Sequence, residues 1–194
     1  MSYLMDYHVH SIHSFDAYDS ISDICKSAVD GGLCEIVITD HFEPGMWDDY
    51  NFFYDKDQYL TDVKNARQDF DGKLKVKFGV ELGEPHLYPE ASESIMEYMP
   101  YDYVLGSIHK FIDNIDAEDI DYSRFSETEI CSLYLEEIRK LVKWNNFDCV
   151  GHLDLIKRYS RETYGKNLSL TCQHELLQEV LKGIIESGKG IEIN

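Results

Sequence analysis

Two histidines one residue apart, His8 and His10 in DYHVH, are the first side chains in this chain whose types and spacing suggest chemistry. Alternate residues of a strand project from one face, so the two imidazoles would stand side by side, with Asp6 just upstream. Such a pair supplies half of a divalent-cation site, and alone it is a weak signal. Carboxylates and imidazoles from elsewhere must complete it. Glu81 is placed to bridge or finish the coordination, His109 and His152 offer two further nitrogens, and Asp16 with His41 would make another nitrogen–oxygen group. A mixed imidazole and carboxylate set suits zinc, iron or manganese better than calcium or magnesium.

Elements that repeat along the chain must position these residues. The hydrophobic pattern predicts strands over Tyr3–His10, Glu35–His41, Val76–Leu82, Tyr103–His109, Cys149–Leu155 and Gly190–Asn194. Helical patterns fall between them, over Ser20–Asp30, Asp57–Phe70, Ala91–Met99, Ser126–Trp144 and Thr171–Ser187. The fourth helix is the clearest, with Ile130, Leu133, Tyr134, Ile138 and Leu141 at helical spacing and Ser126 with Glu129 as a capping box. Alternating strands and helices imply a parallel sheet with right-handed crossovers, an α/β fold whose reactive residues gather beyond the carboxyl ends of the strands. The histidines obey that rule: His8 and His10, His41 beside Asp40, His109, and His152 near Asp154 all fall at predicted strand ends, and Glu81 ends the third strand.

Composition narrows the partners. Asp and Glu number 37 against 18 Lys and Arg, a net charge of −19 that would repel nucleic acid and anionic lipid. A phosphate-bearing substrate has the same sign, and bound cations would resolve that conflict locally. No apolar run approaches the ~20 residues that span a bilayer, and the N-terminus has no export signal. Five scattered cysteines without a CxxC pair fit reduced thiols in the cytoplasm. At 194 residues the chain is expected to form a single domain.

Five motifs occur in order, DYHVHSIHSFD, ITDH, GVELG, GSIHK and VGHLDL, and jointly they resemble those of the PHP (polymerase and histidinol phosphatase) family. Within it they are most similar to the stand-alone histidinol-phosphate phosphatases. The resemblance implies a distorted (β/α)7-type barrel holding two or three metal ions (zinc, manganese or iron). It implies that His8, His10 and Glu81 bind one ion, that Glu81 bridges to a second completed by His109 and His152, and that Asp16 and His41 serve a third. It also implies a final Asp-x-His motif on a last strand. Residues 1–194 contain neither that motif nor a seventh strand, so the expectation is a PHP domain lacking its last βα unit, with open strand edges that favour association with another copy.

The activity implied is hydrolysis of a small phosphomonoester, L-histidinol phosphate to histidinol and phosphate in histidine biosynthesis. Other small phosphates, phosphotyrosine, or an inactive metal-binding barrel are the alternatives. Asp154 or the missing motif would protonate the leaving group. Arg158 and Lys110 would either clamp phosphate or pair with acidic neighbours at the surface. His13 is set outside the ligand set, His86 is expected to be exposed and His174 structural. Phe42, Trp47 and Phe53 would either stack on an imidazole-bearing substrate or anchor their loop.

Overall fold

The computed structural model describes residues 3–44 and 55–192, so Trp47 and Phe53 lie outside the described residues. The chain forms two compact units, the first running to Leu82 and including Pro89–Leu105, the second comprising Gly83–Tyr88 and the chain from Gly106.

In the first unit, strands β1 (Met5–Val9), β2 (Glu35–Ile38), β4 (Lys75–Gly83, up to Leu82) and the start of β5 (Tyr103–Ser107) lie in the order β1-β2-β4-β5. The pairs β1–β2 and β2–β4 are parallel, as the βαβ alternation requires. Helices α1 (Ile21–Asp30), α2 (Lys56–Asp69) and α3 (Pro89–Tyr98) intervene in the chain. Ser20 caps α1 by accepting a hydrogen bond from the Asp23 N–H, and Gly32 at φ 76° carries the chain out of it. β2 reads EIVI and all four residues are buried, the mark of a strand covered on both faces. At Gly79 a Cβ would sit 2.6 Å from Val37 Cγ1 and 2.9 Å from the Ile38 oxygen, so only glycine lets β4 approach β2 there. The buried Tyr59 hydroxyl lies 2.8 Å from the carbonyls of both Ile38 and Gly79 and ties α2 to the two strands.

The second strand ends earlier than the sequence pattern suggests. β2 stops at Ile38, and a separate two-residue strand, β3 (His41–Phe42), pairs with β4 so that His41 faces Glu81 in register. Asp40, between them, points its buried carboxylate at another loop and breaks the strand.

In the second unit, the end of β5, then β8 (Cys149–Val150) and β9 (Gly190–Ile191) follow in the order β5-β8-β9, and β8–β9 is parallel. Helix α4 (Glu127–Trp144) buries Ile130, Tyr134, Ile138 and Leu141, and both halves of the Ser126–Glu129 capping box are formed. Leu133, read as part of that apolar stripe, is 41% exposed instead. α6 (His174–Glu186) packs along α4, with His174 exposed at its first turn.

A hairpin and a helix in this unit escape the sequence pattern. Asp113 and Asn114, both at positive φ, turn an antiparallel hairpin of β6 (Lys110–Ile112) and β7 (Ile115–Asp116). Helix α5 (Leu155–Tyr164) begins where a strand was expected to end, because the apolar run CVGHLDLI mimics a buried strand while Leu155 and Ile156 form the inner face of the helix.

A charge cluster around the buried Glu35 secures the amino-terminal ends of the parallel strands in the first unit. Glu35 is 4% exposed; Lys75 Nζ lies 3.1 Å and Lys77 Nζ 2.7 Å from its carboxylate, and the Tyr3 and Tyr7 hydroxyls donate to it. Burial opposes its ionisation, but the hydrogen bonds from Lys77, Tyr7, Tyr3 and Lys75 together outweigh it and hold the carboxyl well below the usual range. A depressed folded-state pKa stabilises the fold above the unfolded value and loses that contribution as pH falls. Glu35→Gln should therefore cost about 1–3 kcal/mol in urea unfolding at pH 7, with the gap from wild type narrowing progressively below pH ~4.3.

Candidate metal centre

Strand ends bring six donor-bearing side chains together in the first unit. His8 lies on β1 and His10 just beyond it on the same face. Glu81 projects from β4, with its side chain 1% exposed, and His41 stands beside it across the β3–β4 pair. Glu81 Oε2 is 3.0 Å from Nε2 of both His8 and His10, and those two nitrogens are 3.0 Å apart. The other ring nitrogen of His10 is 3.0 Å from Asp16 Oδ2, which lies 3.5 Å from His41 Nε2. His41 Nδ1 is 3.0 Å from the buried Glu43 carboxylate and 3.4 Å from Glu81. His8–His10–Glu81 and His10–Asp16–His41 each bring three donor atoms within 4.8 Å of one another.

The electrostatics of this group favour positive charge. Burial works against a cationic His41, yet the Glu81 carboxylate and hydrogen bonds to Asp16 and Glu43 prevail and push its pKa up to about 9. His10 shifts in the same direction: burial lowers its pKa, and the Asp16 and Glu81 carboxylates raise it further. Burial favours the neutral acid of Asp16, but the hydrogen bonds from His10 and His41 hold its carboxyl far below the usual range. The donor set fits a divalent cation. Its atoms are imidazole nitrogens and carboxylate oxygens, and three of them converge at the ~3 Å mutual spacing that bonds of about 2.0–2.2 Å to a common centre produce.

The loop carrying these residues has its own anchor. The buried Asp40 carboxylate accepts hydrogen bonds from the Ser11 N–H, the Ser11 hydroxyl at 2.6 Å and the Ser14 hydroxyl at 2.9 Å. Ser14 Oγ in turn accepts from the His41 N–H at 2.8 Å. Asp40, which the ITDH motif places beside His41, thus holds the chain between His10 and Asp16. Phe15 stacks on the His41 ring at 4.8 Å. His13 turns away, to Asp62 at 3.0 Å, in keeping with its place outside the set.

The second unit contributes a separate imidazole pair. His109 Nε2 and His152 Nε2 are 3.1 Å apart. His152, Asp154 and Arg158 line one cleft of about 620 Å³ with Lys157, Arg161 and Asn167. Asp154 Oδ2 is 2.8 Å from Lys157, while Arg158 lies over the Tyr159 ring and donates to its hydroxyl. Two expectations need correction. Lys110 is buried, with Nζ 3.9 Å from the buried Glu84, so it meets an acidic neighbour but not at the surface. His86, expected in solvent, has a side chain only 5% exposed and meets Glu137 at 2.9 Å, because its loop folds against α4. Glu43, Glu84 and Glu192, which contact the imidazole-bearing residues or their backbone, lie in no pattern that spacing could single out.

Comparison with known proteins identifies the family and the fold. The family model described as "PHP domain" matches residues 6–194. A histidinol-phosphatase of Lactococcus lactis is 27% identical over 98% of this chain and 71% of its own length. A probable histidinol-phosphatase of Clostridium acetobutylicum is 29% identical over 98% of this chain and 72% of its own length. The crystal structure of histidinol phosphate phosphatase from Lactococcus lactis, complexed with zinc, L-histidinol and phosphate, superposes with a TM-score of 0.89 at 26% identity, covering 98% of this chain and 73% of that one. A structure from Listeria monocytogenes, 14% identical, shares the fold with a TM-score of 0.75 over 96% of this chain and 80% of that one. The distorted PHP barrel expected from the motifs is thereby borne out.

The Asp40 anchor is open to direct test. Asp40→Ala should lower stability by about 2–4 kcal/mol in urea titration, because it leaves a buried N–H and two hydroxyls without their acceptor. A change below about 0.5 kcal/mol would show that the loop is held by other contacts.

Proposed function

This chain belongs to the PHP domain family, and from that premise we propose that it hydrolyses L-histidinol phosphate to histidinol and phosphate, using divalent metal ions. The observation that carries the proposal is the convergence of His8, His10 and the buried Glu81 on one point, with Asp16 and His41 beside it. No architectural need gathers so many imidazoles and carboxylates at strand ends. The names of the relatives and the ligands in the Lactococcus lactis structure support the substrate.

His8, His10 and Glu81 would hold one ion and Asp16 with His41 another in the first unit, and His109 with His152 would hold an ion in the second. When bound, divalent cations neutralise phosphoryl oxygens and ease the deprotonation of water. The chain's own groups do the rest. Glu81, buried among imidazoles, keeps the first group of donors aimed at one point, and Glu43 fixes the orientation of the His41 ring. In the second unit, Arg158 is assigned to the phosphate and Asp154 to proton delivery at the leaving oxygen, since both face the cleft that His152 lines. The residues named suit direct attack by water without a covalent phosphoenzyme.

Zinc is the metal in the related crystal structure; manganese and iron suit the same donors. We assign the chain to the cytoplasm, in keeping with its five cysteines outside any disulfide. Residues 1–194 are assigned to one PHP domain, and self-association is proposed for it. Among the described residues no helix is long and apolar enough to cross a membrane.

Purified protein supplied with zinc or manganese should hydrolyse histidinol phosphate faster than phosphotyrosine or other small phosphates. Faster turnover of another phosphate would replace the substrate, and absence of turnover across the panel would leave a metal-binding barrel. Glu81→Ala should lower both metal content and kcat, whereas Arg158→Ala should chiefly raise KM. Equal metal content in wild type and Glu81→Ala, measured by elemental analysis, would refute the ligand role of Glu81.

A further inference from the structure

His109 and His152 each lie two residues past the end of a strand, β5 ending at Ser107 and β8 at Val150. Where a ladder ends, the next N–H groups lose their backbone partners, and a buried one must find a side-chain acceptor. Both histidines do so in the same way. Glu84 Oε1 accepts hydrogen bonds from the His109 N–H and, at 2.9 Å, from the Lys110 N–H. Glu192 Oε1 accepts one from the His152 N–H.

The two carboxylates reach those positions under constraint. Glu84 is fully buried and adopts φ 43°, a left-handed conformation that non-glycine residues seldom take. Its own N–H donates to the Ser107 carbonyl at 3.0 Å, which ties it to the end of the strand that carries His109. His152 itself sits at φ 20° and is gripped at its other backbone group too, since the Tyr134 hydroxyl donates to its carbonyl at 3.1 Å. Backbone strain of this kind persists only where surrounding contacts overdetermine it. The result is a pair of rings whose Nε2 atoms stand 3.1 Å apart.

We propose that Glu84 and Glu192 are positioning residues, whose carboxylates hold the peptide N–H groups of His109 and His152 and so aim the two imidazoles at one cation. The role rests on His109 and His152 being metal-binding residues, and it is one step removed from the ion: each carboxylate acts on the ligand's backbone, whereas Glu43 acts on the ring of His41.

The test compares Glu192→Ala and Glu192→Gln in the full chain, with zinc affinity read by competition against a chelator and amide hydrogen exchange read at His152. Glu192→Ala should speed exchange at His152 and weaken one zinc site by about 10–100-fold, while Gln, which keeps an acceptor oxygen, should restore affinity to within about threefold. Glu84→Met, which keeps the buried volume but removes the acceptor, should do the same at His109. Wild-type zinc affinity in both Glu192→Ala and Glu84→Met overturns the proposal, and so does a loss in Glu192→Ala that Gln fails to rescue. His152→Ala serves as the control: if it too retains every zinc site, the ligand role itself fails, whereas a loss there with none in Glu192→Ala removes only the positioning role.

Discussion

Glu81 is a carboxylate with almost no access to water, and its burial would be prohibitively costly without charge or hydrogen-bond partners. His8, His10 and His41 supply those partners within 3.4 Å. The dependence runs both ways, because three imidazoles crowded this closely would repel one another if protonated in the absence of the carboxylate. β3 exists to make the arrangement: it pairs His41 in register with Glu81 and leaves Asp40 free to fold the preceding loop back over the same strands. Much of the first unit's local structure, from the break after Ile38 to the Ser11–Ser14 turn, follows from keeping that carboxylate and those rings in one place.

Strand ends are also where backbone hydrogen bonding runs short. The His41 N–H goes to Ser14, the His109 N–H to Glu84 and the His152 N–H to Glu192, each a side chain doing what a neighbouring strand does elsewhere. A residue at such a position is free of the pleat and can turn its ring away from the sheet, but its backbone then needs an acceptor of its own. Placing imidazoles at strand ends and surrounding them with buried polar side chains are therefore two consequences of the same geometry.

Acidity is distributed unevenly between structural and chemical work. Glu35 is neutralised by two lysines and hydrogen-bonded by two tyrosines at the start of β2, in the same unit as the donor cluster but at the amino-terminal end of its strands. Asp16, Glu43 and Glu81 are instead paired with imidazoles, whose positive charge is conditional. A carboxylate paired with lysine gains a permanent partner and stabilises the fold; one paired with histidine can exchange a proton for a metal ion. In the second unit the cleft beside His152 gathers Lys157, Arg158 and Arg161 alongside Asp154 and Glu162, a net positive lining within a chain of net charge −19.

The sequence by itself determined the α/β alternation, the capping box of α4, and the strand-end placement of His8, His10, His41 and Glu81, because strand periodicity is a local property that spacing records. Asp16 was singled out with the aid of the family motifs. It did not reveal α5 or the β6–β7 hairpin: CVGHLDLI satisfies strand and helix alike, and a turn such as Asp113–Asn114 depends on backbone angles that residue types only weakly constrain. Nor could spacing separate Asp40 from the imidazole beside it or send Lys110 and His86 inward, since each outcome depends on what packs against the residue from distant parts of the chain. Tertiary structure alone decided that Glu43 meets a ring nitrogen while Glu84 and Glu192 meet backbone N–H groups. The physical reason is that an acceptor is needed only where a ladder stops or a ring must be oriented, and those places appear only once the strands are paired.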